Sequence, residues 1–424
     1  MTISQYTLGC KVNQYDTEIM LEAFKASGYT VLPFGQKTDV VLINTCTVTG
    51  TGDNKSLKAV RRSHKENPDA HIIVAGCLAQ REGETISKMP GVKVVLGTKY
   101  RARVVDLLKE SLSAQKAVVA CEALTDADFE CSSVDSLEGR SRAVLKIQEG
   151  CKNRCAYCII PSVRGGVRSR PIESIKNETE RLARAGYSEI ILTGIHLNSY
   201  GLDGIGADLT DAVVAALESA GEARIRLGSL EPTLYDERFA SELSKFKNIC
   251  PQFHLSLQSG SDSVLARMRR RYNTQMYEKT VAILRRYFPG CAITTDIITG
   301  FPGETREEFE ETLAFAQKIG FAKIHVFPYS QREGTEAAVM SDQVDISVRQ
   351  ARARELIEVS SALERQYVRS KIGQPLRVIF EETIEKMSVG TDDNHIRCFK
   401  KDAPLGILTE FTGVREEGCA LFAE

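Results

Sequence analysis

The 424-residue sequence predicts an α/β protein in three parts: an N-terminal Rossmann- or flavodoxin-like parallel sheet, a central partial (β/α)6 barrel and a small all-β C-terminal domain. Three observations carry this. Apolar runs alternate with amphipathic stretches over residues 1–112, the alternation restarts near residue 143 and repeats six times, and the last fifty residues hold only short strand-like runs. A chain this long divides into two or three domains, each with its own core.

In the first block, ISQYTLGC, DVVLINTC, HIIVAGC and VKVVLG read as strands, and EIMLEAFKASG and NKSLKAVRRSHKENP between them have helical periodicity. Such βα units build a parallel sheet. Residues 113–136 lose the rhythm; polar and rich in Ser and Asp, they read as a linker with one or two short strands. In the block 137–368, strands are expected over 143–149, 188–194, 223–229, 252–258, 291–298 and 323–329, separated by helices such as IESIKNETERLARAG and TREEFEETLAFAQKIG. Six units are too few for the eightfold barrel but suit a partial one, with its working face at the C-terminal strand ends. A long charged helix over about 346–371 leads out. Within 370–424, PLRVIFEE, HIRCFK, GILTEFTGV and CALFAE then read as a small barrel or sandwich.

Composition is ordinary for a globular protein, at 42% hydrophobic and 26% charged. No apolar run approaches the roughly 18 residues of a membrane span, and MTISQYTLGC lacks the regions of a signal peptide, so a cytoplasmic protein without a membrane partner is expected. Twelve cysteines without an export signal argue for metal-binding thiolates or small buried side chains, not disulfides. With a net charge of −1, a nucleic acid must be held by local patches.

The stretch EGCKNRCAYCIIPSVRG, residues 149–165, follows the first barrel strand with Cys151, Cys155 and Cys158. A zinc ribbon requires a second CxxC pair nearby, and structural cysteines would not crowd a loop carrying Lys152, Arg154, Arg164 and Gly165. Three thiolates suit a 4Fe-4S cluster with one iron left open to a small molecule. CxxxCxxC with Tyr157 before the third cysteine resembles the radical SAM superfamily, in which that iron binds S-adenosyl-L-methionine. Cys10, Cys46 and Cys77 lie far apart in sequence, yet each ends an expected strand. In a parallel sheet those ends line one edge; simple packing is the equal alternative.

TLGCKVNQYDTE, NTCTVT, AGCLAQ and GCKNRCAYCIIPSVRG, with LTGIHLNSYG, RLGSLEP, HLSLQSGSD, DIITGFPGET and FPYSQREGT, resemble the methylthiotransferase family of radical SAM enzymes over most of the chain. The resemblance implies a radical SAM barrel, a second 4Fe-4S cluster on Cys10, Cys46 and Cys77, and a TRAM-like tRNA-binding domain at the C-terminus. It implies replacement of C–H by C–SCH3: one cluster generates a 5′-deoxyadenosyl radical from S-adenosyl-L-methionine, and the other presents sulfur methylated by a second molecule. Within the family, TLGCKVNQ, LGSLEPT and HLSLQSGSD are most similar to the branch acting on carbon 2 of N6-threonylcarbamoyladenosine, next to the anticodon of tRNA. The isopentenyl-adenosine branch is the alternative, and a non-catalytic iron-sulfur electron carrier is the reading from another class. The implied partners are tRNA through its anticodon stem-loop, a reductase- or flavodoxin-type electron donor and a sulfur donor.

Weaker signals surround these. Gly194, and Gly300 and Gly303 of GFPGE, are placed to let backbone approach the cofactor, though βα turns explain glycines equally well. Arg224 and Arg226 alternate on the third strand, so both are expected to face the barrel interior, toward a carboxylate or phosphate of the cofactor or else as a solvated pair. His196, His254 and His325 read as satisfied core histidines. Residues 376–424 hold ten Asp or Glu against six Lys or Arg, which works against phosphate binding; RMRRRY at 267–272 and VRRSHK at 60–65 are the alternative RNA patches.

Overall fold

A computed structural model describes residues 1–122, 124, 129–131, 141–233 and 237–423. The N-terminal part runs β1 (Thr2–Thr7), α1 (Lys11–Ala26), β2 (Thr30–Leu32), β3 (Val40–Thr45), α2 (Gly50–Glu66), β4 (His71–Gly76), α3 (Cys77–Ser87), β5 (Val92–Leu96), α4 (Val104–Ala114) and β6 (Val118–Ala120). The sheet is parallel throughout, in the order β2-β1-β3-β4-β5-β6. Helices cover both faces, which is why all six residues of VVLINT in β3 are buried. Ile3, Leu42, Ile73 and Val94 pack with Phe24 and Leu108 on one side; Val41, Ile43, Ile72 and Val95 pack with Val60 and Ile86 on the other. The strand order turns back at β1 and β3, so a crevice opens beyond their carboxyl ends. Within the stretch expected as a linker over 113–136, β6 is the short strand, and it pairs with β5 as the sheet's last strand. Part of that linker lies outside the described residues.

All six expected barrel strands form. They are β7 (Arg142–Glu149), β9 (Glu189–Gly194), β10 (Arg224–Leu227), β11 (Gln252–His254), β12 (Ala292–Thr299) and β13 (Lys323–Pro328); a short β8 (Arg168–Ser169) pairs antiparallel with the end of β7. The helices are α5 (Ile160–Arg164), α6 (Ile172–Arg184), α7 (Leu209–Ser219), α8 (Glu237–Ser244), α9 (Asp262–Arg267), α10 (Thr274–Tyr287), α11 (Arg306–Ile319) and α12 (Ile346–Arg369). Two parallel sheets meet through the bridges Ile225–Ile249 and Leu230–Leu255, giving an arc from β7 to β13. Alternation sets the two faces of the arc. Leu145, Ile190, Leu192, Ile225, Phe253, Ile293 and Ile324 pack outward on the helices. The polar residues between them, from Arg142 and Lys146 to Asp296 and His325, face the lumen.

The C-terminal domain comprises β14 (Pro375–Ile384), β15 (Met387–Asp392), β16 (Arg397–Lys401), β17 (Leu408–Thr412), β18 (Arg415–Glu417) and β19 (Ala420–Phe422), in the order β17-β14-β15-β16-β19-β18. Only β16 and β19 pair parallel. Val378, Phe380, Cys398, Phe411 and Leu421 form its core. β15 is absent from the sequence expectation because MSVGTD has little apolar alternation; its Gly390 lets the β14 backbone approach so closely that a Cβ would lie 2.1 Å from the Ile379 carbonyl oxygen.

This domain plugs the floor of the lumen, where Arg224 and Arg226 bind it. Both face the interior, but Arg224 Nη1 donates to Asp393 Oδ1 (2.7 Å) and the Arg377 carbonyl (2.7 Å), while Arg226 donates to the carbonyls of Asp392 (2.9 Å) and Asp393 (3.0 Å). Glu189, fully buried, joins them at 2.6 Å from Arg224 Nε and 2.9 Å from Arg226 Nη2. These arginines hold a domain in place, a task invisible in sequence because the acidic loop lies more than 160 residues downstream. Burial opposes the Glu189 charge, yet the two guanidinium groups hold its carboxyl far below the usual range. The stabilisation is therefore complete at neutral pH and is lost as pH falls through that depressed value. Glu189→Ala, which strands two buried cations, is expected to cost about 3–5 kcal/mol in urea unfolding and to expose the C-terminal domain to limited proteolysis.

Candidate active site

Cys10, Cys46 and Cys77 follow β1, β3 and β4 and so gather at the crevice. A Cβ on Gly9 would touch Cys46 Cβ at 2.9 Å, so the turn bearing Cys10 lies directly against Cys46. Asn13 fixes that turn, its amide donating to the carbonyls of Leu8 (2.7 Å) and Thr45 (2.9 Å). Gly76 precedes Cys77 at φ +96, where a Cβ would lie 2.3 Å from Asn44 Oδ1; only glycine permits the turn from β4 into α3 at this point. Exposure falls from Cys10 (exposed) to Cys46 (half-buried) to Cys77 (buried).

The second cysteine loop leaves β7 through Gly150, at φ +75, where a Cβ would collide with the Gly166 carbonyl oxygen at 1.8 Å. Cys151 N donates to Gly165 O (3.0 Å), Cys158 N to Cys155 O (3.0 Å) and Ala156 N to Met268 O (3.0 Å), so the loop is closed on itself and on α9. Tyr157 is half-buried, edge-on to Phe301, with ring centroids 6.4 Å apart. Phe301 belongs to GFPGE, so that turn abuts the cysteine loop; Gly300 N donates to Glu304 Oε1 (2.8 Å) and Gly303 N to the Asp342 carbonyl (2.7 Å). Gly194 packs on Gln148, whose Oε1 accepts from His196 N at 2.7 Å.

Burial pushes the thiol of Cys77 up to about 11 and that of Cys158 to about 12, and it raises Cys46 and Cys151 as well. Such groups are thiolates at neutral pH only when a cation displaces their protons. Among the described residues neither triad brings its three sulfurs within 4.8 Å of one another. Each triad also receives one guanidinium: Arg164 Nε donates to Cys77 Sγ and Arg270 Nη1 to Cys155 Sγ, both at 3.1 Å.

Neither arginine stands alone. Arg270 Nη2 lies 2.6 Å from Glu231 Oε1, and Glu231 Oε2 faces His196 Nε2 at 3.0 Å and accepts from Asn153 of the cysteine loop at 3.1 Å. Burial works against the Glu231 charge, but the His196 hydrogen bond and Arg270 hold its carboxyl down at about 2. Arg164 enters a buried ion cluster between the two domains. Its Nη1 is 2.8 Å from Asp16 of α1 and 3.2 Å from Glu149 of β7, and the same carboxylates bind Lys146 (2.6 and 3.0 Å) and Arg101 (2.9 and 3.1 Å). A further tie runs from Arg332 of FPYSQREGT to Thr47 beside Cys46 (2.9 Å). Sequence reasoning missed Glu231, Arg270 and the role of Arg164; the only signal was their place inside the quoted motifs.

The histidines differ from the core roles expected of them. His196 joins the network beneath the cysteine loop, while His254 and His325 face the lumen with ring centroids 5.7 Å apart. RMRRRY is dispersed into ion pairs, Arg267 to Glu308 and Arg269 to Glu336, each at 2.6 Å. VRRSHK lies on α2, which presents Lys55, Lys58, Arg62 and Lys65 to solvent, with Arg62 paired to Glu66 one turn on at 2.8 Å. In the loaded protein, removing either donor to sulfur leaves the more negative, reduced cluster less stabilised. Arg270→Gln and Arg164→Gln are each expected to lower the midpoint potential of their own cluster by about 60 mV, a tenfold shift for a one-electron couple, in an EPR-monitored titration.

Comparison with known proteins places these features. Residues 145–316 match the Radical SAM superfamily, and residues 2–97 match the uncharacterized protein family UPF0004. The chain is 41% identical to the threonylcarbamoyladenosine tRNA methylthiotransferase MtaB of Bacillus subtilis (strain 168), over 94% of this chain and 90% of that one. It is 35% identical to the MtaB of Aquifex aeolicus (90% and 93% covered) and 36% identical to the tRNA-2-methylthio-N(6)-dimethylallyladenosine synthase of Symbiobacterium thermophilum (91% and 84%). In fold it is similar to the radical S-adenosylmethionine methyltransferase TsrM from Kitasatospora setae, with a TM-score of 0.60 at 14% identity over 80% of this chain and 77% of that one. With relatives this similar along nearly their whole length, the chain belongs to the methylthiotransferase family of radical SAM enzymes.

Proposed function

We propose that the protein replaces the C2 hydrogen of N6-threonylcarbamoyladenosine in tRNA with a methylthio group, using S-adenosyl-L-methionine and two 4Fe-4S clusters. The observation carrying this reading is the pair of three-cysteine sets, each one ligand short of closing a cluster and joined by the Arg164 ion cluster. When bound, the cluster on Cys151, Cys155 and Cys158 supplies the electron that cleaves S-adenosyl-L-methionine, and that on Cys10, Cys46 and Cys77 carries the sulfur. The chain's own residues supply position. Glu231, Asn153 and Arg270 order the loop around Cys155, while Asp16, Glu149 and Lys146 hold the two cysteine edges in fixed register. Phe301, buried, and Tyr157, half-buried beside it, cover the base of the same loop.

Support for the threonylcarbamoyl substrate comes from the Bacillus and Aquifex relatives; the dimethylallyladenosine enzyme at 36% identity supports the second reading. The chemistry also calls for an electron donor of reductase or flavodoxin type and a sulfur donor. No helix among the described residues is long and apolar enough to cross a membrane; a tRNA substrate supports the reading of a cytoplasmic protein. We assign the anticodon arm to the basic face of α2, whose N-terminal end follows the Cys46 loop; the C-terminal domain takes the TRAM role.

Mass spectrometry of tRNA nucleosides tests the reaction. A strain lacking the protein is expected to lose 2-methylthio-threonylcarbamoyladenosine and to regain it from the wild-type gene but not from Cys77→Ala; an unchanged nucleoside in the deletion strain would contradict the substrate. Lys58→Glu with Arg62→Glu is expected to raise KM for tRNA about tenfold and flatten its salt dependence, leaving 5′-deoxyadenosine formation without tRNA unchanged.

A further inference from the structure

At mid-height in the lumen, three adjacent strands bring a small set of polar groups together. His254 of β11 stands opposite Thr294 of β12, and Asp296 stands opposite His325 of β13. His254 Nε2 lies 3.2 Å from Asp296 Oδ2 and its Nδ1 lies 3.0 Å from Thr294 Oγ1; one ligand atom each of His254, Asp296 and His325 falls within 4.8 Å of the others. The floor beneath is closed, because Gln252 binds both Thr294 and Arg226, and Arg226 holds the C-terminal loop. The side at β13 is open: His325 is exposed, and so is Phe327 (46%), two residues nearer the cysteine end on the same face.

Radical capture itself needs no such polar set, since a hydrogen atom leaves C2 without a base. The N6 substituent does. N6 and C2 flank N1 on one edge of adenine, so a pocket gripping the N6 substituent fixes where C2 lies. A threonylcarbamoyl group offers urea N–H and hydroxyl donors and a carboxylate acceptor, whereas a dimethylallyl group offers only hydrocarbon.

Resting on the threonylcarbamoyladenosine reading above, we propose that His254, Asp296 and His325 form the pocket for the threonylcarbamoyl group of a flipped-out nucleotide, with Phe327 stacking on its adenine. The His325 imidazole donates to the carboxylate, His254 holds Asp296 in place through its Nε2, and Asp296 accepts from the urea N–H or hydroxyl. An apolar substituent would leave these groups desolvated and unpaired, the arrangement by which a site rejects an analogue lacking its hydrogen bonds. Aromatic stacking of an extruded base is a general means of presenting it to chemistry.

The test uses the full chain with both clusters reconstituted, and anticodon stem-loops carrying threonylcarbamoyladenosine or dimethylallyladenosine. His325→Leu is expected to lower kcat/KM on the first about 10- to 100-fold, chiefly through KM, and to narrow its preference over the second. His325→Gln, which keeps a donor, is expected to retain more activity than His325→Leu. The 5′-deoxyadenosine formed without RNA should be unchanged in both. Wild-type kcat/KM in His325→Leu would overturn the pocket and leave the proposed function standing; so would loss of RNA-free 5′-deoxyadenosine, which would assign the residue to cofactor or fold. One equivalent of zinc bound by the wild type and lost from His325→Leu would also overturn it, making the trio a metal site. Wild-type action on dimethylallyladenosine alone would instead refute the substrate reading.

Discussion

Arg164 is the residue through which the two halves of this chemistry meet. It sits in the loop of the barrel cysteines, six positions after Cys158, yet its Nε donates to Cys77 of the other domain and its Nη1 bridges Asp16 and Glu149. Its side chain is fully buried. A guanidinium there is tolerable only while both carboxylates and the sulfur surround it, so the domains must pack in the one arrangement that supplies all three.

The rest of the site follows from that constraint. Lys146 and Arg101 offset the charge on Asp16 and Glu149, and Glu149 immediately precedes Gly150, where the chain turns into Cys151. Replacing such a network by apolar residues would give a comparably stable interface. What it adds is orientation: hydrogen-bond geometry admits far less sliding than greasy contact. For a reaction that must pass a carbon from one site to another, the relative position of two cysteine edges matters more than stability. Opposite that interface, the Glu189–Arg224–Arg226 cluster plays the corresponding part for the C-terminal domain.

The cysteines were legible because their signals are local. CxxxCxxC is a spacing within one loop, and Cys10, Cys46 and Cys77 each follow an apolar strand, so parallel topology alone brings them to one edge. The six barrel strands were legible for the same reason, whereas β2 and β15 are edge or glycine-bearing strands with little alternation. Arg224 and Arg226 show where local reading stops. Their alternation correctly turned them inward, but what they bind is a loop more than 160 residues away. RMRRRY shows the same limit, since Glu308, Glu336 and Glu231 of distant elements pair with three of its four arginines. A lone histidine carries no register of its own, and only strand pairing put His254 beside His325.

Two open clusters facing each other across the Arg164 interface would couple magnetically, and EPR of the dithionite-reduced, reconstituted protein reads that coupling. About eight irons per chain are expected, with a spectrum broadened by coupling between two reduced clusters that collapses to a single uncoupled signal in Cys77→Ala. A wild-type protein with about four irons, or two signals that remain independent, would contradict that arrangement.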